Sequence, residues 1–196
     1  MPNFQEPYNQ LSEHDEKILE KLVAPVDGRM LEIGCWTGHS TSILARHAKS
    51  KRWKVVVVDN FGGNEGTPLK EFAEKNGVKQ IFLDNMKELG LFDSVILFDM
   101  DSDSAHEYLD NYSFSFMFLD GGHGYEQVKK DLKNYIHKLS KDAIICGHDY
   151  ESETYDERYI EEDYVDGKHH GVIKAVNEVF GKVEHEGRMW WVKLKN

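Results

Sequence analysis

The stretch that decides the fold is Arg29–Ser40, with the sequence RMLEIGCWTGHS. Its first five residues, Arg29–Ile33, have the composition of a buried strand, and a turn bounded by Gly34 and Gly38 follows. The residues after the turn have the apolar spacing of a helix. A strand that leads through a glycine turn into a helix is typical of the first unit of an open α/β sheet, whose carboxyl edge binds ligands.

Short β-branched runs and amphipathic stretches alternate along the rest of the chain. This alternation implies crossover connections and a parallel sheet. We therefore predict a Rossmann-like, doubly wound sheet of seven strands, mostly parallel with an antiparallel C-terminal strand, and helices on both faces. Later strands are predicted over Trp53–Val58, Ser94–Phe98, Phe114–Leu119, Ala143–Cys146, Lys182–His185 and Met189–Leu194, with a short extended piece at Lys79–Leu83. Later helices are predicted over Leu69–Lys75, Ser104–Leu109 and Val172–Phe180, and from Tyr125 to about Leu139.

The first part of the chain predicts a helical segment that packs on the main domain. Residues 1–28 form this segment, and residues 29–196 form the α/β domain. Ser12 is the expected N-cap of the helix, with Asp15 in its first turn. Met1–Gln10 is polar and lacks the basic start and apolar run of a secretory signal.

Composition and charge exclude several classes of function. The chain has 196 residues, 40% of them hydrophobic, and a net charge of −11. Such a charge repels the phosphate backbone, so we expect no nucleic-acid substrate. No apolar run approaches the roughly 20 residues that span a bilayer, so no membrane insertion is expected. Cys35 and Cys146 form no C-x-x-C pair, which favours reduced thiols and a cytoplasmic location.

A cofactor site is predicted at the turn after the first strand. The G-x-x-x-G spacing differs from the G-x-G-x-x-G that wraps a pyrophosphate, and so favours a nucleoside without phosphates, such as S-adenosylmethionine. Asp59 ends the second strand, where a carboxylate can accept ribose hydroxyls. The alternative is that the glycines only mark a turn. The predicted cofactor-binding residues are Glu32, Gly34, Trp36, Thr37, Gly38, Ser40, Asp59, Asn60, Asp101, Ser102 and Asp120.

A reaction site is predicted where the fourth and fifth strands end. A hydroxyl must lose its proton before it attacks a methyl group, and a neutral His123 is the candidate base. Asp120, which we also consider catalytic, could hold a divalent cation together with His148 and Asp149, and magnesium is the expected ion. The alternative is that the carboxylates cap helices and the histidines lie on the surface. The acidic, tyrosine-rich segment Glu151–Asp166 is either a substrate lid or a disordered loop.

The motifs from Leu31 to Trp191 resemble a known family. It is the macrocin O-methyltransferase-like, methyltransferase-24-type family of class I S-adenosylmethionine-dependent methyltransferases. The residues that carry the resemblance are Leu31–Gly34 with Gly38 and Ser40, Asn85–Lys87 before Gly90, Leu119–Glu126, Asp131–Leu132, Gly147–Tyr150, Gly171–Val172 and Ala175–Val176.

The resemblance implies O-methyl transfer from S-adenosylmethionine to a small hydroxylated metabolite, such as a sugar or a natural product. It implies that Asp120 and Asp149 are magnesium ligands and that His123 is the general base. His148 stands where several members of the family carry an acidic ligand, and Gly122 replaces a residue that is often polar. A homo-oligomer is compatible with the sequence. The alternatives are a nicotinamide-dependent oxidoreductase and a non-catalytic binding protein with a degenerate cofactor pocket.

Overall fold

The computed structural model describes residues 2, 4 and 11–195. Most of Met1–Gln10, for which the sequence predicts no secretory signal, lies outside these described residues. The strands are β1 Met30–Ile33, β2 Val55–Asp59, β3 Val95–Asp99, β4 Phe114–Leu119, β5 Leu139–Gly147, β6 Glu184–Glu186 and β7 Met189–Lys193. The helices are α1 Glu13–Val23, α2 His39–Ser50, α3 Pro68–Lys75, α4 Val78–Glu88, α5 Ser102–Ala105, α6 Tyr125–Tyr135 and α7 His170–Phe180.

The strands form one sheet of seven in the order β3-β2-β1-β4-β5-β7-β6. The neighbours among β1 to β5 pair in parallel, and β7 runs antiparallel to both β5 and β6. This arrangement confirms the predicted Rossmann-like sheet. The chain winds outward from β1 in both directions, so the carboxyl ends of β1 and β4 flank the crevice where such folds bind ligands.

Alternate residues of the central strands face two separate cores. Val56 and Val58 pack against α6 and α7 on one side of the sheet, whereas Val55 and Val57 pack against α1, α2 and α4 on the other. All four side chains are at most 1% exposed. Burial of each such side chain stabilises the fold by roughly 1.5–3 kcal/mol. Because helices cover both faces of the sheet, a ligand can reach the sheet at the ends of its strands.

The extended piece predicted at Lys79–Leu83 is wrong, because this segment lies inside α4. Val78, Phe82 and Met86 are spaced four residues apart and point into the same core, which is the period of a helix. A second difference concerns Leu139, which begins β5 and does not end the preceding helix. A short 3-10 turn separates that helix from the strand.

The N-terminal helix α1 begins as predicted. The Ser12 hydroxyl oxygen accepts a hydrogen bond from the Asp15 backbone N–H at 3.2 Å. Ile18 and Leu19 of α1 lie in the same core as the apolar face of α2. The boundary at residue 28 stays a prediction. Within the part of the chain that the structure describes, no helix has the length and apolar character needed to cross a bilayer.

Candidate active site

Two cavities meet at the carboxyl edge of the sheet. The first has a volume of about 240 Å³ and lies over the ends of β1, β2 and β4. The second, of about 350 Å³, lies between Thr67–Leu69, the segment around Asp163 and the end of β5. Asp120 and His123 line both cavities. The two predicted sites are therefore neighbours within one crevice.

Most of the predicted cofactor-binding residues line the first cavity. Met100, which follows β3, lines it as well, and so do Gln127 and Asp131 of α6, which the sequence interpretation overlooked as site residues. Burial raises the pKa of Asp131 to about 6. The predicted residues in this lining are Gly34, Trp36, Asp59, Asn60, Asp101, Ser102 and Asp120.

Glu32 and Ser40 lie behind the cavity wall and do not line it. The Glu32 carboxyl is fully buried and accepts hydrogen bonds from the Ser40 hydroxyl at 2.5 Å and the Thr41 hydroxyl at 2.6 Å. Burial raises the pKa of Glu32 to about 8, although both hydroxyls act in the opposite direction. Glu32 therefore joins β1 to the start of α2 as a neutral acid near pH 7, instead of contacting a ligand directly.

The glycines of the G-x-x-x-G turn are required by protein packing. Gly34 has φ +82°, and a Cβ there would lie 2.0 Å from the Asp120 carbonyl oxygen. Gly38 has φ +94°, and a Cβ there would lie 2.8 Å from a side chain of α4. Thr37 is buried, and its carbonyl accepts a hydrogen bond from the Asn85 side chain at 2.9 Å. Thr37 and Gly38 thus dock the turn on α4 and stay outside the cavity lining.

The carboxylate of Asp59 holds the same turn from the neighbouring strand. Its Oδ2 accepts hydrogen bonds from the backbone N–H of Cys35 at 2.7 Å and of Trp36 at 2.9 Å. Next to it, the Asn60 side-chain amide donates to Asp101 Oδ1 at 2.7 Å. The ends of β2 and β3 are thereby joined across the first cavity.

His123 lies between two carboxylates. Its Nε2 is 3.0 Å from Asp149 Oδ2, and its Nδ1 is 2.5 Å from Asp163 Oδ1. Asn64 Nδ2 also lies 3.2 Å from Nδ1. Burial would lower the pKa of His123, but the two carboxylates outweigh burial and raise the pKa well above its usual value. In this arrangement the ring is a cation that donates at both nitrogens, which differs from the neutral base expected from the sequence.

The buried carboxylate of Asp149 is the centre of a cluster of basic groups. Its backbone has φ +65°, a conformation that aspartate tolerates better than most residues. Its carboxylate contacts the Arg188 guanidinium, and Oδ1 lies 3.2 Å from His148 Nδ1 and 3.4 Å from His169 Nδ1. Burial would raise the pKa of Asp149, but His123 and His148 hold it well below the usual range.

The predicted magnesium ligands come together, but their chemistry does not fit magnesium. Asp120, His148 and Asp149 offer ligand atoms within 4.8 Å of one another. Magnesium prefers six oxygen ligands, many of them water. Burial acts against ionisation of His148, yet Asp149 and the hydrogen-bonded Asp15 raise its pKa to about 10, so it is a cation at neutral pH. Because Arg188 also contacts Asp149, a magnesium ion there would face two positive charges.

Besides Gln127 and Asp131, four residues in and around the second cavity escaped the sequence interpretation. Arg188 precedes β7, and because β7 runs antiparallel, its start lies at the same edge as the ends of the parallel strands. Asp163 and His169 come from the connection before α7, which returns over that edge. Asp15 of α1 reaches His148 Nε2 at 3.4 Å. The antiparallel hairpin was a usable signal for Arg188, whereas no local pattern marks Asp15.

Comparisons with known proteins identify the family. A family model described as a methyltransferase domain matches residues 31–150, which is more than half of the chain. The chain therefore belongs to this methyltransferase family, which confirms the family expected from the motifs and displaces the oxidoreductase alternative. No curated protein sequence matches the chain.

Solved structures share the fold at low sequence identity. An O-methyltransferase from Bacillus cereus in complex with SAH is 20% identical, with a TM-score of 0.64, and the match covers 94% of this chain and 83% of that chain. The O-methyltransferase TomG from Streptomyces achromogenes, in complex with SAM, is 15% identical, with a TM-score of 0.68 and coverage of 97% and 84%. At these identities the likeness establishes the fold.

Proposed function

We propose that this methyltransferase transfers the methyl group of S-adenosylmethionine to a hydroxyl of a small polar metabolite, such as a sugar or a natural product. The observation that carries the proposal is the meeting of two cavities at Asp120 and His123. A methyl transfer needs a donor and an acceptor held face to face, since the reacting atoms must be aligned. One cavity for each partner, with a shared wall of polar side chains, satisfies that requirement.

The first cavity suits the methyl donor. Its lining includes the carboxylates of Asp59, Asp101 and Asp120, which are compatible with the positive charge of a sulfonium. Asp59 Oδ2 already accepts two backbone hydrogen bonds, so we assign the ribose hydroxyls to Asn60 and Asp101 as well as to Asp59. The SAH and SAM complexes of the two related folds support this donor.

The second cavity suits the acceptor. Tyr164 and Leu69 offer apolar surface, while Asp163, His169 and Arg188 offer hydrogen-bonding groups for a hydroxylated compound. We propose that Asp120 and His123, which touch both cavities, contact the reacting groups. Segment Glu151–Asp166 supplies Asp163 and Tyr164 to this wall, which supports its role as a substrate lid.

Two further features support the proposed location and the proposed class of acceptor. Cys35 and Cys146 are buried and unpaired, which supports a reducing, cytoplasmic location. The net charge of −11 supports a small-molecule acceptor over nucleic acid. The homo-oligomer stays a prediction that sedimentation of the purified chain would test.

Calorimetric titration with S-adenosylmethionine, S-adenosylhomocysteine and NADH tests the donor. We expect both adenosyl compounds to bind and NADH not to bind. A screen of hydroxylated metabolites with a labelled methyl donor then tests turnover. His123→Asn should leave donor binding within about twofold and lower turnover by roughly 10²–10⁴, the range for loss of an acid–base group. Donor binding without turnover on any acceptor would indicate the non-catalytic alternative, and unchanged turnover in the variant would exclude His123.

A further inference from the structure

The side chain of Gln127 lines the first cavity with its amide in one orientation. Its Nε2 lies 3.1 Å from Asp131 Oδ1, 3.2 Å from Ser102 Oγ and 3.4 Å from Asp103 Oδ1. An amide nitrogen donates hydrogen bonds, whereas an ionised carboxylate only accepts them. If the amide turned over, its oxygen would face both carboxylates. The nitrogen therefore stays on this side, and Oε1 of Gln127 is directed away from it.

The two carboxylates that hold this amide have fixed positions of their own. Lys130 Nζ donates to Asp103 Oδ2 at 2.5 Å, and this hydrogen bond holds the pKa of Asp103 below its usual range. Asp131 is 1% exposed and lies one helical turn after Gln127 in α6. Burial raises the pKa of Asp131 to about 6, so this carboxyl is mostly ionised at neutral pH. The direction of Gln127 Oε1 is therefore fixed by two anionic neighbours of its amide nitrogen.

The oxygen of the same amide is available to a ligand. Gln127 Oε1 has no hydrogen-bond partner among the residues that the structure describes. This oxygen is not sealed inside the protein, and the residue lines the cavity. A carbonyl oxygen on a cavity wall can accept a hydrogen bond from an N–H or O–H group of a bound molecule. The wall at Gln127 therefore offers one hydrogen-bond acceptor of fixed direction.

Gly122 leaves the space that the Gln127 side chain occupies. A Cβ at residue 122 would lie 3.0 Å from Gln127 Cγ, which is closer than ordinary van der Waals contact. A larger residue in the loop after β4 would therefore displace Gln127. Gly122 also lines the first cavity, so this loop and the start of α6 shape the same part of its wall. A small residue on the loop and a glutamine on the helix together present Oε1.

We propose that Gln127 Oε1 accepts a hydrogen bond from the exocyclic amino group of the donor's adenine and makes the protein selective for that base. This inference rests on the proposed function, which assigns the ribose hydroxyls to Asn60 and Asp101, among others. Ser102 directly follows Asp101 and accepts a hydrogen bond from Gln127, so Gln127 borders the space beside the ribose. A base with an exocyclic oxygen would set two acceptors against each other, and the fixed amide cannot turn over to relieve this contact.

Calorimetric titration of the full-length chain with two ligands tests this selectivity. The ligands are S-adenosylhomocysteine and S-inosylhomocysteine, in which an oxygen replaces the exocyclic amino group of the base. We expect the unaltered chain to bind the adenosyl compound at least about tenfold more tightly, the scale of one hydrogen bond gained or lost. Equal affinities would overturn the role of Gln127 and leave the proposed donor intact. Failure of both compounds to bind would refute the proposed donor, and this inference with it.

A pair of matched variants assigns the selectivity to Gln127. Gln127→Met keeps the length of the side chain and removes its amide, so the preference for the adenosyl compound should fall to within about threefold. Gln80→Met is the control, because Gln80 lies on the exposed face of α4 and donates to Asp84 Oδ1 at 2.8 Å with the same four-residue spacing. The control should keep the full preference. An unchanged preference in Gln127→Met would overturn the proposal, and the unaltered chain gives a result even if that variant fails to fold.

Discussion

Asp59 and Trp36 are 23 residues apart in sequence, yet the Asp59 carboxylate accepts a hydrogen bond from the Trp36 backbone N–H at 2.9 Å. Trp36 has φ +48°, an unusual conformation for a bulky residue. The hydrogen bond holds this strained turn in place, and the neighbouring N–H of Cys35 adds a second one to the same oxygen. The end of β2 therefore shapes the turn that lines the first cavity.

Asp59→Asn should weaken S-adenosylmethionine binding by about tenfold to a hundredfold. Hydrogen bonds to a charged acceptor contribute about 1.5–3 kcal/mol, and about 1.4 kcal/mol corresponds to tenfold in Kd. Calorimetric titration measures the change, and Asp93→Asn, at an exposed position near β3, is the matched control. Equal affinities for Asp59→Asn and the unaltered chain would refute this role of the carboxylate.

Gly34→Ala should abolish donor binding or prevent folding, because the added Cβ would lie 2.0 Å from the Asp120 carbonyl oxygen. Gly66→Ala is the control: Gly66 also has a positive φ, +74°, but nothing lies within 4 Å of its Cβ position. The control should lose only about 1 kcal/mol from backbone strain. Thermal melting and calorimetry compare the two variants, and similar losses in both would show that crowding at Gly34 is unimportant.

Asp15→Ala should destabilise the protein and lower its turnover, although Asp15 lies outside both cavities. Asp15 is 2% exposed and faces His148 at 3.4 Å, so its removal leaves a buried imidazolium with one partner fewer. Breaking a buried ion pair costs about 3–5 kcal/mol. Denaturant unfolding measures the loss, with Glu13→Ala, an exposed change in the same helical turn, as the control. A loss no larger than that of Glu13→Ala would contradict this prediction.

Glu32 should make the protein less stable as the pH rises from about 4.5 to about 8. Its carboxyl has a pKa of about 8 in the folded state because of burial, compared with 4.5 for an ordinary glutamate side chain. Between these values the unfolded chain has lost the proton and the folded chain keeps it, so stability falls by at most about 1.4 kcal/mol per pH unit. Below about 4.5 and above about 8 this contribution no longer changes.

Glu32→Gln removes the titration while an amide can still bond to Ser40 and Thr41. Denaturant unfolding at several pH values should give a flatter pH profile for this variant than for the unaltered chain. Parallel profiles for the two proteins would refute a buried neutral carboxyl at this position.

The fold was predictable because β-branched runs and strand-end glycines are local signals. The carboxyl ends of parallel strands lie at one edge of a sheet. The sequence therefore also predicted that Asp120, His123 and Asp149 lie at one edge, as they do. The short window at Lys79–Leu83 failed because the helical spacing of α4 is visible only over a longer stretch. The direction of the Glu32 side chain could have been predicted from the sequence. Side chains alternate between the two faces of a strand, so Glu32 points with Met30 toward α2.

The remaining site residues depend on distant parts of the chain. The Asp15 carboxylate accepts a hydrogen bond from the backbone N–H of Arg188, which is 173 residues away in sequence. Such a contact follows from how α1 and the C-terminal hairpin pack, and no local pattern encodes it. The protonation of His123 was mistaken for the same reason, because Asp163 comes from a connection whose course the sequence does not reveal.

The imidazole of His123 bridges Asn64, in the loop after β2, and Asp163, in the connection after β5. Asn64 lines the first cavity and Asp163 lines the second, so the ring lies between the loops that border the two cavities. Because one imidazole contacts both loops, a displacement of either loop changes the position of His123 in both cavities.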